Sequence, residues 1–535
     1  MSEKSANELM QRYASAKGNW QNWRSIYDEA YAFTIPQKDP WPQEVAEGVR
    51  KNTFVYDITA VTSTRRLVSR LHASLFPPGE EWFELEAGEE VTDPNEKKQL
   101  NAILQVYTKI IFRALNVSNF DLVINELLQD ICIGTGSMMI LESDGAAPFK
   151  FKSVATDVVY PEGDAFDDIE TTWRDMNKVW GHDIQTIWPK AKIPTRIAQT
   201  MVTDPMATFD FVEGVVWRPE SMDYHHCVLV AGTKEYVVDE IVKSSPWIVA
   251  RWSKASNEVG GRGPVLDAMP TIRSLNKLVE EILRNVALST SPPWMAASDG
   301  VFNPHLFAIQ PNKIIPISRQ SMGELPLQKL DVSGDIRTGT LEVQDLRAQI
   351  KDALFDNPVR PIESPEQTAT EIMIRQQQFA EEIGPAFGRL SVELSPRIIK
   401  RVVFILQKKG TLPNDLRIDN RSISIRYKSP LVRSSQVQDI QNLQNFNTIL
   451  QGIVGPELSL GAMNLELVAP WLADKLNVDE TLIKSSDEIM QMIQQAQSAS
   501  QPPPAPGSGN PSPTQQLAQP DQNAQTQGQA NAGNQ

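Results

Sequence analysis

The chain has 535 residues, 41% of them hydrophobic and 22% charged, with 66 acidic against 51 basic side chains and a formal charge of −15. That length exceeds what one compact core usually organises, so more than one folding unit is expected. The acidic balance excludes a protein that grips nucleic acid by bulk electrostatics, and no apolar run approaches the roughly 20 residues of a membrane span.

The opening segment, MSEKSANELMQRYASAKGNW, is polar and does not read as a signal peptide, which predicts a cytoplasm-like environment. Leu9, Tyr13, Ala16, Trp20, Trp23, Tyr27 and Ala30 recur at spacings of three and four, the mark of an amphipathic helix. Pro36, Pro40 and Pro42 then force a loop. A second helix is predicted from about Asp57 to Leu75, with Ile58, Val61, Val68, Leu71 and Leu75 on one side, stopped by Pro77-Pro78-Gly79. A short strand, Trp82 to Leu85, and helices over Glu96–Leu115 and Asn119–Ile133 follow. The turn Gly134-Thr135-Gly136 leads into an apolar strand, Met138 to Leu141.

Between 149 and 252 the periodicity changes to two. FKFKSV, FDFVEGVVW, YHHCVLV, EYVVDEIV and PWIVARW read as strands of an antiparallel sheet, interrupted by one short helix near His182–Trp188. Helices return after Gly260-Gly261-Arg262-Gly263-Pro264. Ile272, Leu275, Val279, Ile282 and Val286 form a coiled-coil-like seam that needs a partner helix. Ser289 to Pro293 ends it, and a proline-rich, strand-like excursion runs to about Val332. Ile336, Val343 and Ile350, with Leu346 and Leu354 beside them, supply a second seam. Two such helices flanking one small insert predict an antiparallel pair capped at its far end.

Asp356 to Pro365 holds three prolines and is expected as a loop. Thr368-x-x-Glu371 looks like a capping box opening a long helix that Gly384-Pro385 and Pro396 should bend, ending at Lys408, Lys409 and Gly410. A strand, Ser422 to Tyr427, precedes two to four short helices over 434–493, where Val437, Ile440, Leu443, Phe446 and Leu450 form one stripe. Beyond Ile493 the composition is Gln, Pro, Ala, Asn, Gly and Ser, which cannot bury enough surface to fold, so 494–535 is expected as a disordered tail.

The sequence offers little chemistry. No phosphate-cradling G-x-x-x-x-G-K-[ST] occurs, and Gly134-x-Gly136 lacks the third glycine of a dinucleotide site. His225-His226-Cys227 lies in a predicted strand, where neighbours point to opposite faces and cannot converge on one metal. Glu162, Asp164, Asp167, Asp168 and Glu170 have the carboxylate density a two-metal nuclease needs, or form a solvated loop between strands. No serine sits in a G-x-S-x-G elbow. Cys132 and Cys227 are expected as buried thiols. No catalytic, cofactor-binding or metal residue is assigned, and no cofactor is expected.

Four segments in this order resemble the head-to-tail connecting (portal) proteins of short-tailed bacteriophages. They are LHASLFPPGEEWFELE at 71–86, Arg251-Trp252 through GGRGPVLDAMPTIRSLNK to position 277, PEQTATEIMIRQQQFAEEIGPAFGRLSVELSPRIIKRVVFILQKKG at 365–410, and Ile425-Arg-Tyr-Lys-Ser-Pro-Leu before helices and a Gln-rich end. The resemblance implies an α+β, mainly helical portal fold. Its parts would be a wing of helices plus antiparallel sheet at 1–263, a first stem helix at 264–291, a clip at 292–335 and a second stem helix at 336–355. A tunnel loop at 356–367, a long wing helix and strand at 368–430, a crown at 431–493 and the disordered tail complete it.

The same resemblance implies a non-enzymatic, twelve-subunit ring in the virion at the head–tail junction. Double-stranded DNA would pass through it during packaging and ejection. Its partners would be the terminase motor, tail adaptor and tail tube proteins, major capsid and scaffolding proteins, and internal core proteins, with no membrane. Lys313, Arg319 and Arg360 are candidate DNA-channel cations, although a surface cation or an intersubunit ion pair is the commoner role of such residues. Another virion structural protein, such as an internal core or tail component, is the alternative.

Overall fold

The computed structural model describes residues 3–38, 53–91, 93–233, 235–290, 294–297, 314–317, 327–329, 336–356, 378–379, 381–414, 416, 418, 422–428, 430–454, 468, 471–472 and 475. The expected loop at Pro40 and Pro42, the capping box at Thr368 and Glu371, most of 455–493 and the tail beyond 493 lie outside them. By contacts the chain divides into Met1–Phe446 and Asn447–Gln535.

Helix α1, Glu3–Thr34, buries the predicted stripe: Leu9, Tyr13, Ala16, Trp20, Tyr27 and Ala30 are all in the core. Its aromatic residues also carry polar ends that find partners, as buried Tyr and Trp must. Trp20 Nε1 donates to the Thr156 carbonyl at 2.8 Å, and the Tyr31 hydroxyl to Asp130 Oδ1 at 2.7 Å. Helix α2, Thr59–Leu75, starts later than predicted, and Ile58 is corrected: it precedes the first turn and is 67% exposed. Val68, Leu71 and Leu75 are buried as predicted, and Ser63, Thr64 and Leu67 join them. Strand β1, Phe83–Ala87, and helices α3, Pro94–Val117, and α4, Phe120–Ile133, follow the expected order.

Strands β2, Thr135–Glu142, and β3, Phe149–Val154, pair with β9, Trp247–Arg251, in the antiparallel order β3-β2-β9. Strands β4, Val159–Gly163, β5, Ile169–Trp180, β6, Thr208–Arg218, β7, Asp223–Val230, and β8, Tyr236–Val242, form a second antiparallel sheet in sequence order. Between them, α5, Ile184–Ile187, fills the predicted short helix, and α6, Thr195–Thr203, is an addition. The sequence reading missed β4 and β5 as well. β4 carries Pro161, and β5 is mostly polar, so neither shows an apolar run; pairing with β6 decides them.

The predicted helix pair is α7, Pro264–Thr290, and α8, Ile336–Ala353. Between them lie three short strands, β10, Trp294–Ala297, β11, Ile314–Ile317, and β12, Leu327–Lys329. β10 pairs parallel with β11 and antiparallel with β12. The later helix breaks where predicted, into α9, Gly384–Glu393, and α10, Ser395–Lys408. Pro385 and Pro396 each sit in a first turn, where the missing N–H costs nothing. Gly410, at φ 73°, closes α10 in the left-handed conformation that favours glycine. Strand β13, Ile423–Tyr427, pairs antiparallel with β1 across 340 residues of chain, Phe83 facing Tyr427.

The expected short helices after 434 are corrected. Helix α11 runs unbroken from Pro430 to Val454, because no glycine or proline interrupts 431–451. Its apolar stripe is only partly covered: Ile440, Leu443 and Leu450 are half-buried, while Phe446 is 54% exposed.

In the second sheet, β7 places His225 and His226 on opposite faces. His225 Nε2 meets Asp239 Oδ1 at 2.8 Å. His226 lies between Glu213 (3.0 Å) and Glu240 (3.3 Å), and Lys190 meets Glu240 at 2.8 Å. Burial pulls the His226 imidazole down, but the two carboxylates outweigh it and push it up to about 9. The hydrogen bond from His226, with that from Lys190, holds Glu240 down at about 2. His226 is therefore a cation at neutral pH. Because its value is raised on folding, its stabilisation is fully present below the ordinary value of 6.5 and is lost as pH rises through about 9. Thermal melts between pH 6.5 and 10 should show Tm falling across that window, and His226→Gln should remove that part of the fall.

Candidate functional site

The chain's most distinctive arrangement is the α7–α8 pair, the strands it carries and the groups that root it. The pair is antiparallel: Gly339 faces Ile282, while Arg347 and Asn276 meet at the same segment, 54–57. Ile272 and Leu275 of the first seam, and Val343, Ile350 and Leu354 of the second, are buried. Val279, Ile282 and Leu346 are partly covered. Farther out the apolar face is bare, with Leu283 52%, Val286 43% and Leu341 69% exposed. The outer surface of α7 is laced by Lys277, Glu280, Glu281 and Arg284 at spacings of three and four.

Segment 54–57 staples the two helices to α2. Asn276 Oδ1 accepts the Tyr56 amide at 2.7 Å, and Asn276 Nδ2 donates to the Phe54 carbonyl at 3.0 Å. Asp57 Oδ2 takes Arg347 Nη2 at 2.7 Å, while Asp57 Oδ1 accepts the amide of Thr59, the first residue of α2, at 2.8 Å. Burial pushes the Asp57 carboxyl up, but the hydrogen bonds from Thr59 and Arg347 prevail and hold it below the usual range.

The foot of α7 is the turn Gly260–Pro264. A Cβ on Gly263 would collide with the Cys132 carbonyl, and one on Gly261 with the Gly134 carbonyl, so two backbones touch where only glycine fits. The Tyr27 hydroxyl donates to the Gly261 carbonyl at 2.5 Å. Beside this turn Arg251, at the end of β9, is 1% exposed. Its Nη2 reaches Glu393 Oε1 at 2.7 Å, its amide donates to Glu393 Oε2 at 3.0 Å, and Arg389 closes on the same carboxylate at 2.9 Å.

After α8, Asp356 is 1% exposed and accepts from Ser63 Oγ at 2.7 Å and Arg66 Nη1 at 3.1 Å. Arg70 Nη1 donates to the Phe355 carbonyl at 2.5 Å and its guanidinium lies 6.0 Å from the Phe379 ring. Phe355 itself takes a left-handed φ of 54°. Both ends of the chain between 357 and 377 are thus held by neighbouring arginines of α2.

The dense carboxylates at 162–170 are spread over β4, a turn and β5, and four of the five are engaged by other groups. Glu162 pairs with Arg12 at 3.0 Å, Asp167 with Lys254 at 2.6 Å and Glu170 with Arg397 at 3.3 Å; Asp164 Oδ1 accepts the Phe166 and Asp168 amides. Among the described residues no cluster of three or more His, Cys, Asp or Glu could hold a metal ion. Cys132 and Cys227 are buried free thiols, as expected, and burial pushes the Cys227 thiol up to about 12. Lys313, Arg319 and Arg360 lie outside the described residues.

The groups that root the helix pair were not singled out from the sequence. Asp57 and Arg347 stand 290 positions apart, Arg251 and Glu393 142. One signal was available: Arg251 closes an otherwise apolar strand, and a cation buried there demands a carboxylate.

A model of the family described as bacteriophage head to tail connecting protein matches residues 6–483. A probable portal protein of Bordetella phage BPP-1 is 20% identical over 517 residues, covering 90% of this chain and 89% of that one. Among solved structures, a chain from the virion of a native gene transfer agent particle aligns over 75% of this chain and 90% of its own at 11% identity, TM-score 0.32. A chain from the neck of an empty gene transfer agent particle, computed with C6 symmetry, aligns over 77% and 93% at 10% identity, also at 0.32.

The buried pair at the foot of α7 makes a sharp expectation. Glu393→Leu and Arg251→Leu should each cost about 3–5 kcal/mol, since each strands a buried charge, while the double variant should cost less than the sum. Urea denaturation of the four proteins measures it; additive losses would mean that the pair is not coupled.

Proposed function

This chain belongs to the bacteriophage head to tail connecting protein family, and from that premise we propose that it acts as a portal, a ring at one capsid vertex through which the genome is packaged and ejected. The observation that carries the reading is the antiparallel α7–α8 pair with a small stranded insert at its far end, rooted by charged staples at its near end. A family model covering 6–483 supports it over nearly the whole length. Twelve copies would complete the ring. The bare outer faces of α7 and α8, with Leu283, Val286 and Leu341 exposed in one chain, are the surfaces that neighbouring stems would cover.

In this reading 1–263 and 368–430 make the wing, 264–291 and 336–355 the stem and 292–335 the clip. The clip receives first the terminase motor and then the tail adaptors. The tunnel loop, 356–367, projects from the Asp356 anchor, 431–493 form the crown and 494–535 a disordered tail. A net charge of −15 per chain suits a conduit, because a channel that bound phosphate tightly would stall DNA. Lys313, Arg319 and Arg360 would guide DNA without holding it.

Negative-stain images of the purified protein should show rings with a central channel, and their absence would overturn the portal reading. Arg360→Ala should leave those rings intact and change packaging or genome retention; unchanged genome content would remove Arg360 from the DNA contacts.

A further inference from the structure

Among the described residues one rung of strand β9 stands open beside a basic cleft. The ladder between β2 and β9 includes Trp252 N to Gly134 O at 3.0 Å and Ile140 N to Pro246 O at 2.8 Å. With Thr135 opposite Arg251 and Met139 opposite Trp247, that phase turns the backbone groups of 246, 248, 250 and 252 toward β2. Those of Trp247, Val249 and Arg251 therefore point to the other edge, where no strand pairs among the described residues. Side chains satisfy two of the three amides there. Trp247 N donates to Ser245 Oγ at 3.1 Å, and Arg251 N to Glu393 Oε2 at 3.0 Å. The Val249 amide has no such acceptor among the described residues, although Val249 is only 2% exposed. Buried backbone donors are almost always paired, so an open one marks a place for a partner.

Val249 lines a cleft of about 440 Å3 between the sheets and α10. Trp247 lines it too, and its buried indole Nε1 likewise lacks a hydrogen-bond partner. Lys243, just after β8, and Lys400, on α10, border the cleft with exposed ammonium groups that meet no carboxylate among the described residues. Phe404 and Ile418 supply apolar wall. Glu170 is already engaged by the Tyr224 hydroxyl at 2.6 Å and by Arg397. The cleft thus presents donors unused by any described residue, and positive charge, in a chain whose net charge is −15.

The geometry points to a docking cleft for a short, extended, acidic peptide segment of another protein. Its main chain would complete the Val249 rung, its carboxylates would meet Lys243 and Lys400, and an alternate apolar side chain would rest on Phe404 and Ile418. Strand addition supplies main-chain bonds while alternate side chains read the pockets. The side-chain caps from Ser245 and Glu393 on either side confine the pairing to one rung, so the contact is short and weak. The inference stands on the cleft alone and does not need the portal reading.

The test uses the full chain and a fluorescein-labelled, end-capped peptide of alternating glutamate and valine, followed by fluorescence anisotropy. Binding is expected with Kd on the order of 100 µM, weakening as salt rises from about 0.05 to 0.3 M. The double variant Lys243→Glu/Lys400→Glu, at two exposed positions, should weaken it by about tenfold or more. Val249→Pro removes the outward N–H and spares the ladder to β2, and should weaken binding in the folded variant. If Val249→Pro does not fold, the lysine variant decides. The proposal is overturned if the peptide does not bind, if a lysine–valine peptide binds as well, or if the lysine variant binds unchanged. Inorganic phosphate competing as effectively as the peptide would reduce the cleft to a simple anion site. Loss of self-association in the lysine variant, with no peptide binding to the parent, would make the occupant a second copy of the chain.

Discussion

The Arg251 guanidinium and the Glu393 carboxylate are buried together at the point where β9 hands over to α7, and the described body is organised around that contact. A cation 1% exposed cannot stand without an anion, and the Glu393 carboxylate also takes the Arg251 amide and the Arg389 side chain. The pair therefore fixes three things at once: the end of the β3-β2-β9 sheet, the last turn of α9 and the start of the Gly260–Pro264 turn. That turn works only because Gly134, Gly261 and Gly263 let backbone approach backbone, with the Tyr27 hydroxyl of α1 closing over it. The direction in which α7 leaves the body is set here, by charge and by the absence of side chains.

The same device recurs along the helix pair. Asp57 binds Arg347 of α8 while its neighbouring segment holds Asn276 of α7, and Asp356 binds Ser63 and Arg66 of α2. Each is a carboxylate less than a tenth exposed that ties segments far apart in sequence. Surface ion pairs of the kind along α7 contribute little by comparison. The near end of the helix pair is thus held by polar contacts of defined geometry, while its far end leaves Leu283, Val286 and Leu341 in the open. A chain built this way presents a helix pair rooted at one end, with an apolar flank at the other.

The two histidines of β7 illustrate how a motif-like cluster can be structural. Strand geometry sends His225 and His226 to opposite faces, and the carboxylates that face each come from the neighbouring strands. The dense acids at 162–170 resolve in the same manner into separate pairs with Arg12, Lys254 and Arg397, cations brought from three distant parts of the chain.

Periodicity and punctuation determined much by themselves. The stripe of α1, the seams of α7 and α8, the breaks at Pro385 and Pro396, the glycine stop at Gly410 and the strands at 149–154 and 208–251 follow from local rules, since spacing of apolar residues and loss of an amide act within a few residues. Where local signals were weak the reading failed: β4 and β5 are strands because β6 pairs with β5, and Ile58 is exposed because α2 begins only at Thr59. α11 is one helix because nothing within it breaks the chain. The tertiary structure alone decided the partners of Arg251, Asp57 and Asp356, the pairing of β1 with β13 and the open rung at Val249. These depend on groups far apart in the chain meeting in space, and no spacing along the sequence encodes such a meeting.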